Sequence, residues 1–304
     1  MDSESIKSGE TQTVDEFLKH AKNRKYSIRT IRQYEYTLKK LIPFLEARNI
    51  HRLQDVTGDD LEAFQRHLQE TGLCLGSQEN IMRATRKFFR CLEASGRLFA
   101  DPTASLVMPR RCRSMIIVPT EEEMGKLLAQ PDIKHPIGIR DRALMEVAYG
   151  CGLRRTELAK LSIHDPDPEQ GRLRVNGKGG KQRIVPLGKQ ALHWLNVYLK
   201  ESRPKLLKDR FDEERLWITE QRTPMEGGSI RQQVRCHVER AGIRTPMNLH
   251  SLRKACATHM LAHGAHPVQI QMLLGHASLR HLGRYLSVTI REMKKTHSQN
   301  NPGR

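Results

Sequence analysis

Apolar residues recur at intervals of three and four over most of the first hundred positions, and this spacing most restricts the folds open to the chain. It places apolar side chains on one face of an α-helix, whereas a half-buried strand needs strict alternation. Ser27 and Ser77 are typical helix starts, and Gly72 and Gly96 are typical helix ends. We therefore predict four helices packed as one compact unit. The inward positions are Val14, Phe17, Leu18 and Ala21; Ile31, Tyr34, Leu38, Leu41 and Leu45; Leu61, Phe64 and Leu68; and Ile81, Ala84, Phe88, Phe89 and Leu92.

The pattern changes after about residue 118. Thr120 followed by Glu123 matches a capping box, which predicts a helix start. Two alternating runs, 172–175 and 183–186, flank a Gly-Lys-Gly-Gly turn and predict a β-hairpin. The chain is therefore predicted to be mainly α with a small β-hairpin or sheet, in two domains. Helices are predicted at about 120–130, 138–150, 188–202, 229–241, 251–263, 267–274 and 288–296.

The predicted domains are joined by a basic stretch. We assign 1–11 to a flexible N-terminus, 12–108 to the helical domain, 109–118 to a linker and 119–304 to a second domain with a C-terminal tail. The linker holds Arg110, Arg111 and Arg113, and three guanidinium groups in four residues attract phosphate. A DNA contact is the functional interpretation, and a merely solvated loop is the alternative.

The net charge of the chain indicates its partner. Lys and Arg number 52 against 34 Asp and Glu, which gives +18 and a pI of about 9.9. Such an excess suits a nucleic acid or an acidic membrane surface. No apolar run approaches the roughly 20 residues that span a bilayer, and the first residues are polar, so we expect nucleic acid and no membrane. The 6 cysteines form no C-x-x-C pair and are expected to be reduced thiols of a cytoplasmic protein.

Two segments of the second domain carry groups that suit phosphate chemistry. Arg154 follows a Gly-rich turn at a helix start, and Glu157 at i+3 is placed to hold its guanidinium. His250 and Arg253, also at i and i+3, share one helix face and can reach the same phosphate. A surface arginine at a helix start and a capping histidine are the ordinary alternatives.

Three further residues complete the set that DNA strand cleavage requires. Lys178 lies at the hairpin tip, where it can enter a groove and donate a proton, although most turn lysines are only solvated. His276 follows a glycine at a helix end. Tyr285 comes nine residues later and is a candidate nucleophile, with a half-buried packing tyrosine as the alternative.

These segments, taken together and in this order along the chain, resemble the tyrosine recombinase family, which is also known as the lambda-type integrases. The resemblance is greatest to the Xer branch of this family. The resemblance rests on 151–161, 177–188 and 249–285, the last reading HSLRKACATHMLAHGAHPVQIQMLLGHASL after Leu249. It implies an N-terminal four-helix core-binding (SAM-like) domain and an α+β catalytic domain, over about residues 12 to 298. After Leu-Gly-His the branch usually has a Thr-rich run and Tyr-Thr-His, whereas this chain reads Arg280 to Ser287 without them. A mobile-element role is therefore as well supported as chromosome-dimer resolution.

The resemblance also implies a role for each motif position. It implies a metal-free and cofactor-free site that cuts and rejoins DNA through a 3′-phosphotyrosyl bond and a four-way junction. It further implies DNA held between the domains, and a homotetramer on two double-stranded DNA sites that is a monomer or dimer when free. The positions are Arg154 and Arg253 for the phosphate clamp, Lys178 for the acid at the leaving 5′ oxygen, His250 for the acid or base near the nucleophile, His276 for a hydrogen bond to the phosphate, Tyr285 for the nucleophile and Glu157 for the supporting carboxylate.

Three other functions remain possible from the sequence. A catalytically silent DNA-binding or architectural protein would explain the charge but not the full set of reactive groups. A type IB topoisomerase would share the chemistry without a specific site. A zinc enzyme is suggested only by His259 and His263 at i and i+4, without the Glu of H-E-x-x-H.

Overall fold

The fold is taken from a computed structural model, which describes residues 3–108, 117–177, 180–208 and 212–275, with side chains in the first segment from residue 12. The chain divides into two compact units, Met1–Ser114 and Met115–Arg304. The point of division falls inside the stretch 109–118 that the sequence assigns to a linker. Each unit has its own buried apolar core.

The first unit is a bundle of helices, as the apolar spacing predicts. Phe64, Leu68, Ile81 and Phe88 are fully buried, so the faces predicted to be inward are confirmed. Thr57 and Asp60 form a capping box that fixes the start of the third helix. The helices are α1 Ser3–Asn23, α2 Ile28–Ala47, α3 Gly58–Glu70 and α4 Leu75–Ala94, with a 3-10 turn at Leu53–Asp55.

Two boundaries in this unit differ from the prediction. α4 begins at Leu75 and not at Ser77, because Cys74 has extended backbone and its carbonyl accepts the N–H of Ser77. α1 begins at Ser3, earlier than the apolar spacing from Val14 onward predicts, while the flexibility assigned to 1–11 stays a prediction. Glu, Lys and Gln are good helix formers, and polarity alone therefore did not predict the start of this helix.

The second unit surrounds a small antiparallel sheet with helices. Its strands are β1 Pro166–Asp167, β2 Arg172–Asn176 and β3 Gln182–Pro186, in the order β1-β2-β3. The hairpin β2–β3 is confirmed, with Val175 opposite Arg183. The two-residue β1 was not predicted, because so short a strand has no measurable alternation. The helices are α5 Glu121–Ala129, α6 Pro136–Gly150, α7 Arg155–Ala159, α8 Lys189–Val197, α9 Arg203–Leu207, α10 Gly227–Arg240, α11 Leu249–Ala262 and α12 Pro267–Leu274.

One predicted helix is divided. The stretch 188–202 consists of α8 and a π-helical turn at Tyr198–Ser202 that leads into α9. Tyr198 is buried within this turn and its hydroxyl donates to the carbonyl of Leu216, while the Ser202 hydroxyl donates to the carbonyl of Pro136. These contacts to neighbouring segments accompany the change of winding. The helix predicted at 288–296 lies outside the described residues.

The described cysteines and helices agree with what the sequence predicts about thiols and membrane spans. Cys74, Cys91, Cys151, Cys236 and Cys256 all carry free thiols, and Cys112 lies outside those ranges. Burial raises the pKa of both Cys151 and Cys256 to about 12, so these thiols are poor nucleophiles. Among the described helices, none combines the length and apolar character needed to cross a bilayer.

Candidate active site

A tight turn after α6 places Arg154 at the head of α7. Gly152 in this turn has φ +57°, and a Cβ there would lie 2.5 Å from Cδ2 of Leu274 and 3.3 Å from Sγ of Cys256. Glycine is therefore required both by the backbone conformation and by the close packing of α11 and α12. The turn brings Arg154 to the N-cap position of α7, beside the C-terminal end of α12.

Glu157 lies at the centre of the site. Its Oε1 accepts from Nη1 of Arg154 at 2.7 Å, and its Oε2 accepts the backbone N–H of Arg154 at 2.9 Å. Arg183 donates through Nη1 to Oε1 at 3.0 Å and through Nη2 to Oε2 at 2.9 Å. Nη1 of Arg253 lies 4.0 Å from Oε2. One carboxylate thus faces three guanidinium groups, which we call the Glu157 cluster: Arg154, Glu157, Arg183 and Arg253.

The protonation of Glu157 follows from these contacts. Burial alone would raise the pKa of this carboxyl, which is only 3% exposed. Hydrogen bonds from Arg183 and Arg154 outweigh burial and lower the pKa to about 2. The carboxylate is therefore ionised at neutral pH, and the Glu157 cluster has a net charge of +2.

The three arginines differ in what they can reach. The side chain of Arg154 is 39% exposed, that of Arg183 is 14% exposed and that of Arg253 is 1% exposed. Arg253 donates to the carbonyl oxygens of Gly152 at 2.6 Å and Leu274 at 2.7 Å. Arg154 is therefore the member of the cluster most open to an incoming anion, while Arg253 lies at the inner wall.

His250 lies in the first turn of α11, beside the cluster. The side chain of Asn248 caps this helix by accepting the backbone N–H groups of His250 and Ser251. The imidazole is exposed. Even so, desolvation by its neighbours lowers its pKa below the ordinary 6.5, and the charges of Lys254, Arg253 and Arg154 lower it further. A neutral imidazole at neutral pH can accept a proton.

The remaining predicted site residues lie outside the described ranges. They are Lys178, His276 and Tyr285, together with the linker residues Arg110, Arg111 and Arg113. The residues next to two of them are described. Gly177 donates its N–H to the carbonyl of Lys181 at 2.8 Å, and Gly275 accepts from Nη2 of Arg154 at 3.2 Å. The segment that leads into His276 therefore starts at the Glu157 cluster.

Arg183 is the residue that sequence reasoning missed. The run 183–186 was interpreted only as a strand, although the alternation of β3 places Arg183 on the same face as the buried Val185. A cation on the inner face of a strand needs a buried carboxylate, and this signal pointed to an ion pair. The structure supplies the partner in Glu157.

The two histidines that suggested zinc have other partners. Nδ1 of His259 lies 2.7 Å from the Tyr149 hydroxyl, and Nε2 lies 2.9 Å from the carbonyl oxygen of Pro119. His263 lies 2.7 Å from Glu121. Within the residues that the structure describes, no three His, Cys, Asp or Glu side chains are grouped closely enough to hold a metal ion.

Comparison with known proteins places this arrangement in a family. Residues 118–292 match the model of the phage integrase family, and residues 14–96 match that of the phage integrase N-terminal SAM-like domain. A curated relative is "Tyrosine recombinase XerC 2" of Ralstonia nicotianae, which is 35% identical over 287 residues, 92% of this chain and 82% of that protein.

Solved structures show the same fold at lower identity. The XerH site-specific recombinase in a post-cleavage complex with a palindromic difH substrate has a TM-score of 0.75 at 20% identity, over 94% of this chain and 83% of that chain. A lambda integrase tetramer bound to a Holliday junction has a TM-score of 0.69 at 20% identity, over 88% of this chain and 74% of that chain. The two family models together cover most of the chain, and the relative at 35% identity is matched over 82% of its length. The chain therefore belongs to the phage integrase family, among its tyrosine recombinases.

Proposed function

We propose that this protein is a site-specific DNA recombinase that cuts and rejoins strands with Tyr285 as the nucleophile. The observation that supports this most directly is the Glu157 cluster, a preorganised group of guanidiniums at the start of the segment that carries His276 and Tyr285. Such a cluster attracts the scissile phosphate and stabilises the negative charge that grows on its oxygens during attack. The neighbouring neutral imidazole of His250 supplies a base.

The proposed reaction is balanced without an external energy source. The Tyr285 hydroxyl loses its proton to His250 and its oxygen attacks the phosphorus, so that a 3′-phosphotyrosyl bond forms while the bond to the 5′ oxygen breaks. Lys178 protonates the leaving 5′ oxygen, and His276 donates a hydrogen bond to the phosphate. The bond energy stays in the phosphotyrosine, and the 5′ hydroxyl of a partner strand reverses the steps. Two such rounds pass through a four-way junction.

The assembly and its setting are part of the proposal. We propose a homotetramer on two double-stranded DNA sites, working in the cytoplasm. Support for the tetramer comes from a structure of the same fold, the lambda integrase tetramer on a Holliday junction. The linker residues Arg110, Arg111 and Arg113 are proposed to contact phosphates next to the site.

Covalent trapping tests the proposed function. A DNA site with a nick beside the scissile phosphate releases a short fragment after cleavage and prevents religation. The protein should remain attached to this DNA after denaturation and be released by protease, with no ATP or metal added. Equal adducts on unrelated sequences, together with relaxation of supercoils, would instead favour a type IB topoisomerase. Binding without any adduct would favour an architectural protein.

The exposed cations of α2 make a prediction about salt. Arg29, Arg32 and Lys39 are exposed and lie on one face of this helix. If this face binds DNA phosphates, counterions are released, and the slope of log K against log salt becomes shallower by about 0.9 for each phosphate that a variant no longer neutralises. We expect this change in Arg32→Gln, measured by fluorescence anisotropy between low and physiological salt. Arg66→Gln, on α3, is the control and should keep the wild-type slope; equal slopes in all three proteins would refute the assignment of this face.

The lowered pKa of His250 makes a prediction about pH. A base must be neutral, and the folded protein keeps His250 neutral to a pH below 6.5. The rate of adduct formation should therefore be level near neutrality and fall only below pH 6.5. Removing the nearby positive charge in Lys254→Gln should raise the pKa and move this acid limb to higher pH. Single-turnover cleavage between pH 5 and 8 measures the pH dependence of the rate. If the fall in rate at low pH occurs at the same pH in Lys254→Gln as in the wild type, the role of His250 is contradicted.

A further inference from the structure

The side chain of Arg183 joins three separate segments of the second unit. It starts on β3 and its Nη1 and Nη2 form a two-pronged bond to the carboxylate of Glu157 on α7. Its Nε donates to the carbonyl oxygen of Leu273, in the last turn of α12, at 2.8 Å. All three nitrogens of the guanidinium thus bind protein acceptors. A fork of this kind fixes both the distance and the orientation of its partner, which a single ion pair does not.

Two of the arginines contact Gly275, the residue that follows α12. Gly275 has left-handed backbone with φ +60°, and a Cβ at this position would lie 3.1 to 3.2 Å from Cδ, Nε and Nη1 of Arg183. The carbonyl of the same glycine accepts from Nη2 of Arg154. Arg183 and Arg154 therefore share both Glu157 and the turn that precedes His276. A shift of Arg183 would move both.

Arg183 also lies close to the hairpin tip along the chain. β3 begins at Gln182, and the backbone bond between Gly177 and Lys181 closes the tip on this side. Lys181, two residues before Arg183, is therefore hydrogen-bonded to Gly177, the residue that precedes Lys178 in the sequence.

We propose that Arg183 is a positioning residue for strand cleavage. It holds the clamp arginine Arg154 and the turn at Gly275 in one fixed arrangement by way of Glu157, two residues after the base of the hairpin at Lys181. Its low exposure and its protein partners argue against direct contact with DNA. This inference rests on the proposed function, because it concerns the geometry of that reaction.

The first test separates binding from chemistry. Arg183→Lys keeps the charge but loses the fork, and Arg183→Gln loses both. We expect the rate of adduct formation to fall about tenfold in Arg183→Lys and about 100-fold in Arg183→Gln, as is usual for residues that orient the groups of a reaction centre. The Kd for DNA should stay within about twofold, because binding depends on many phosphate contacts. The control is Arg172→Gln on β2, which removes a surface pair with Asp167 and should cleave at the wild-type rate.

The second test distinguishes positioning from damage to the fold. A methylphosphonate at the scissile position replaces one non-bridging oxygen by a methyl group and removes the negative charge of that phosphate. Such a substrate needs the arginine clamp less. The 100-fold defect of Arg183→Gln should therefore shrink to less than about tenfold on it, whereas a smaller fraction of folded protein would lower both rates equally. If Arg183→Gln folds poorly, the same comparison is made with Arg183→Lys, whose rate defect should likewise be smaller on methylphosphonate DNA than on phosphate DNA.

Failure of the proposed function and failure of the positioning role of Arg183 give different results. If the wild-type protein forms no adduct, the proposed function fails. If the wild-type protein cleaves and both Arg183 variants cleave at the wild-type rate, the positioning role is overturned. It is also overturned if both variants are slower by the same factor on phosphate and on methylphosphonate DNA.

Discussion

Replacing Tyr285 by phenylalanine is expected to abolish the covalent protein–DNA adduct while leaving DNA binding within about twofold. The change removes a single hydroxyl and no charge. Loss of a nucleophile in a covalent mechanism typically lowers the rate by more than about 10⁴-fold, because the remaining groups have no bond-forming atom to act on. Adducts on the nicked site, counted after denaturing electrophoresis over hours, measure the loss.

Another tyrosine of the same unit provides the matched control. Burial raises the pKa of Tyr149 to about 12, and its hydroxyl bonds to Nδ1 of His259. It is therefore a poor nucleophile, and Tyr149→Phe should form adducts at the wild-type rate. Full adduct formation by Tyr285→Phe would show that another residue attacks the phosphate. Loss of adducts in Tyr149→Phe alone would move the nucleophile to that position.

Glu157→Gln is expected to cause a large loss of stability. Glutamine keeps the shape of the side chain but removes the charge that faces three guanidiniums. Breaking a buried ion pair by removing one partner typically costs about 3–5 kcal/mol, because the other charge stays buried without compensation. The free energy of unfolding should fall by that amount at pH 7. Cleavage should fall with it, because Arg154 loses the group that holds it.

The same residue predicts how stability depends on pH. The pKa of Glu157 is lowered from an ordinary 4.5 to about 2, so its stabilisation is fully present above pH 4.5 and is lost as the pH falls towards 2. This shift corresponds to about 3 kcal/mol, at about 1.4 kcal/mol for each pH unit. Glu157→Gln has no carboxyl to titrate and should lack this component of acid unfolding.

The measurement can be confined to the unit that contains the site. Both tryptophans of the chain, Trp194 and Trp217, lie in that unit, so their fluorescence during urea unfolding of the full chain reports on it. The control is Asp167→Asn, which removes a surface carboxylate paired with Arg172 and should keep the component of acid unfolding that Glu157 supplies. Equal acid unfolding of the wild type and Glu157→Gln would contradict the proposed state of the cluster.

Most of the fold follows from local patterns in the sequence. The spacing of Leu61, Phe64 and Leu68 and the capping box at Thr120 predict their helices because both signals act within a few residues. β1 and the π-helical turn at Tyr198 were missed, since they depend on contacts with segments far along the chain. Local spacing carries no information about such partners.

The site shows the same limit. The pair Arg154–Glu157 is separated by one helical turn and was predicted from that spacing, and the structure contains it. The pair Arg183–Glu157 joins residues 26 positions apart, and only the fold brings them together. The burial of Arg253 likewise depends on the carbonyls of Gly152 and Leu274, which no helical spacing reveals.

The positive excess of the Glu157 cluster has a consequence for the protein before it meets DNA. Three cations around one anion repel each other, and this repulsion is present as soon as the chain folds. This repulsion lowers the stability of the folded protein, and a phosphate bound by the arginines relieves it. The charge that favours the reaction therefore lowers the free energy of unfolding of the protein without DNA. A lineage that relaxed the demand for speed would be free to replace the exposed Arg154 by an uncharged residue and gain in thermal endurance, because Glu157 would keep its pair with Arg183.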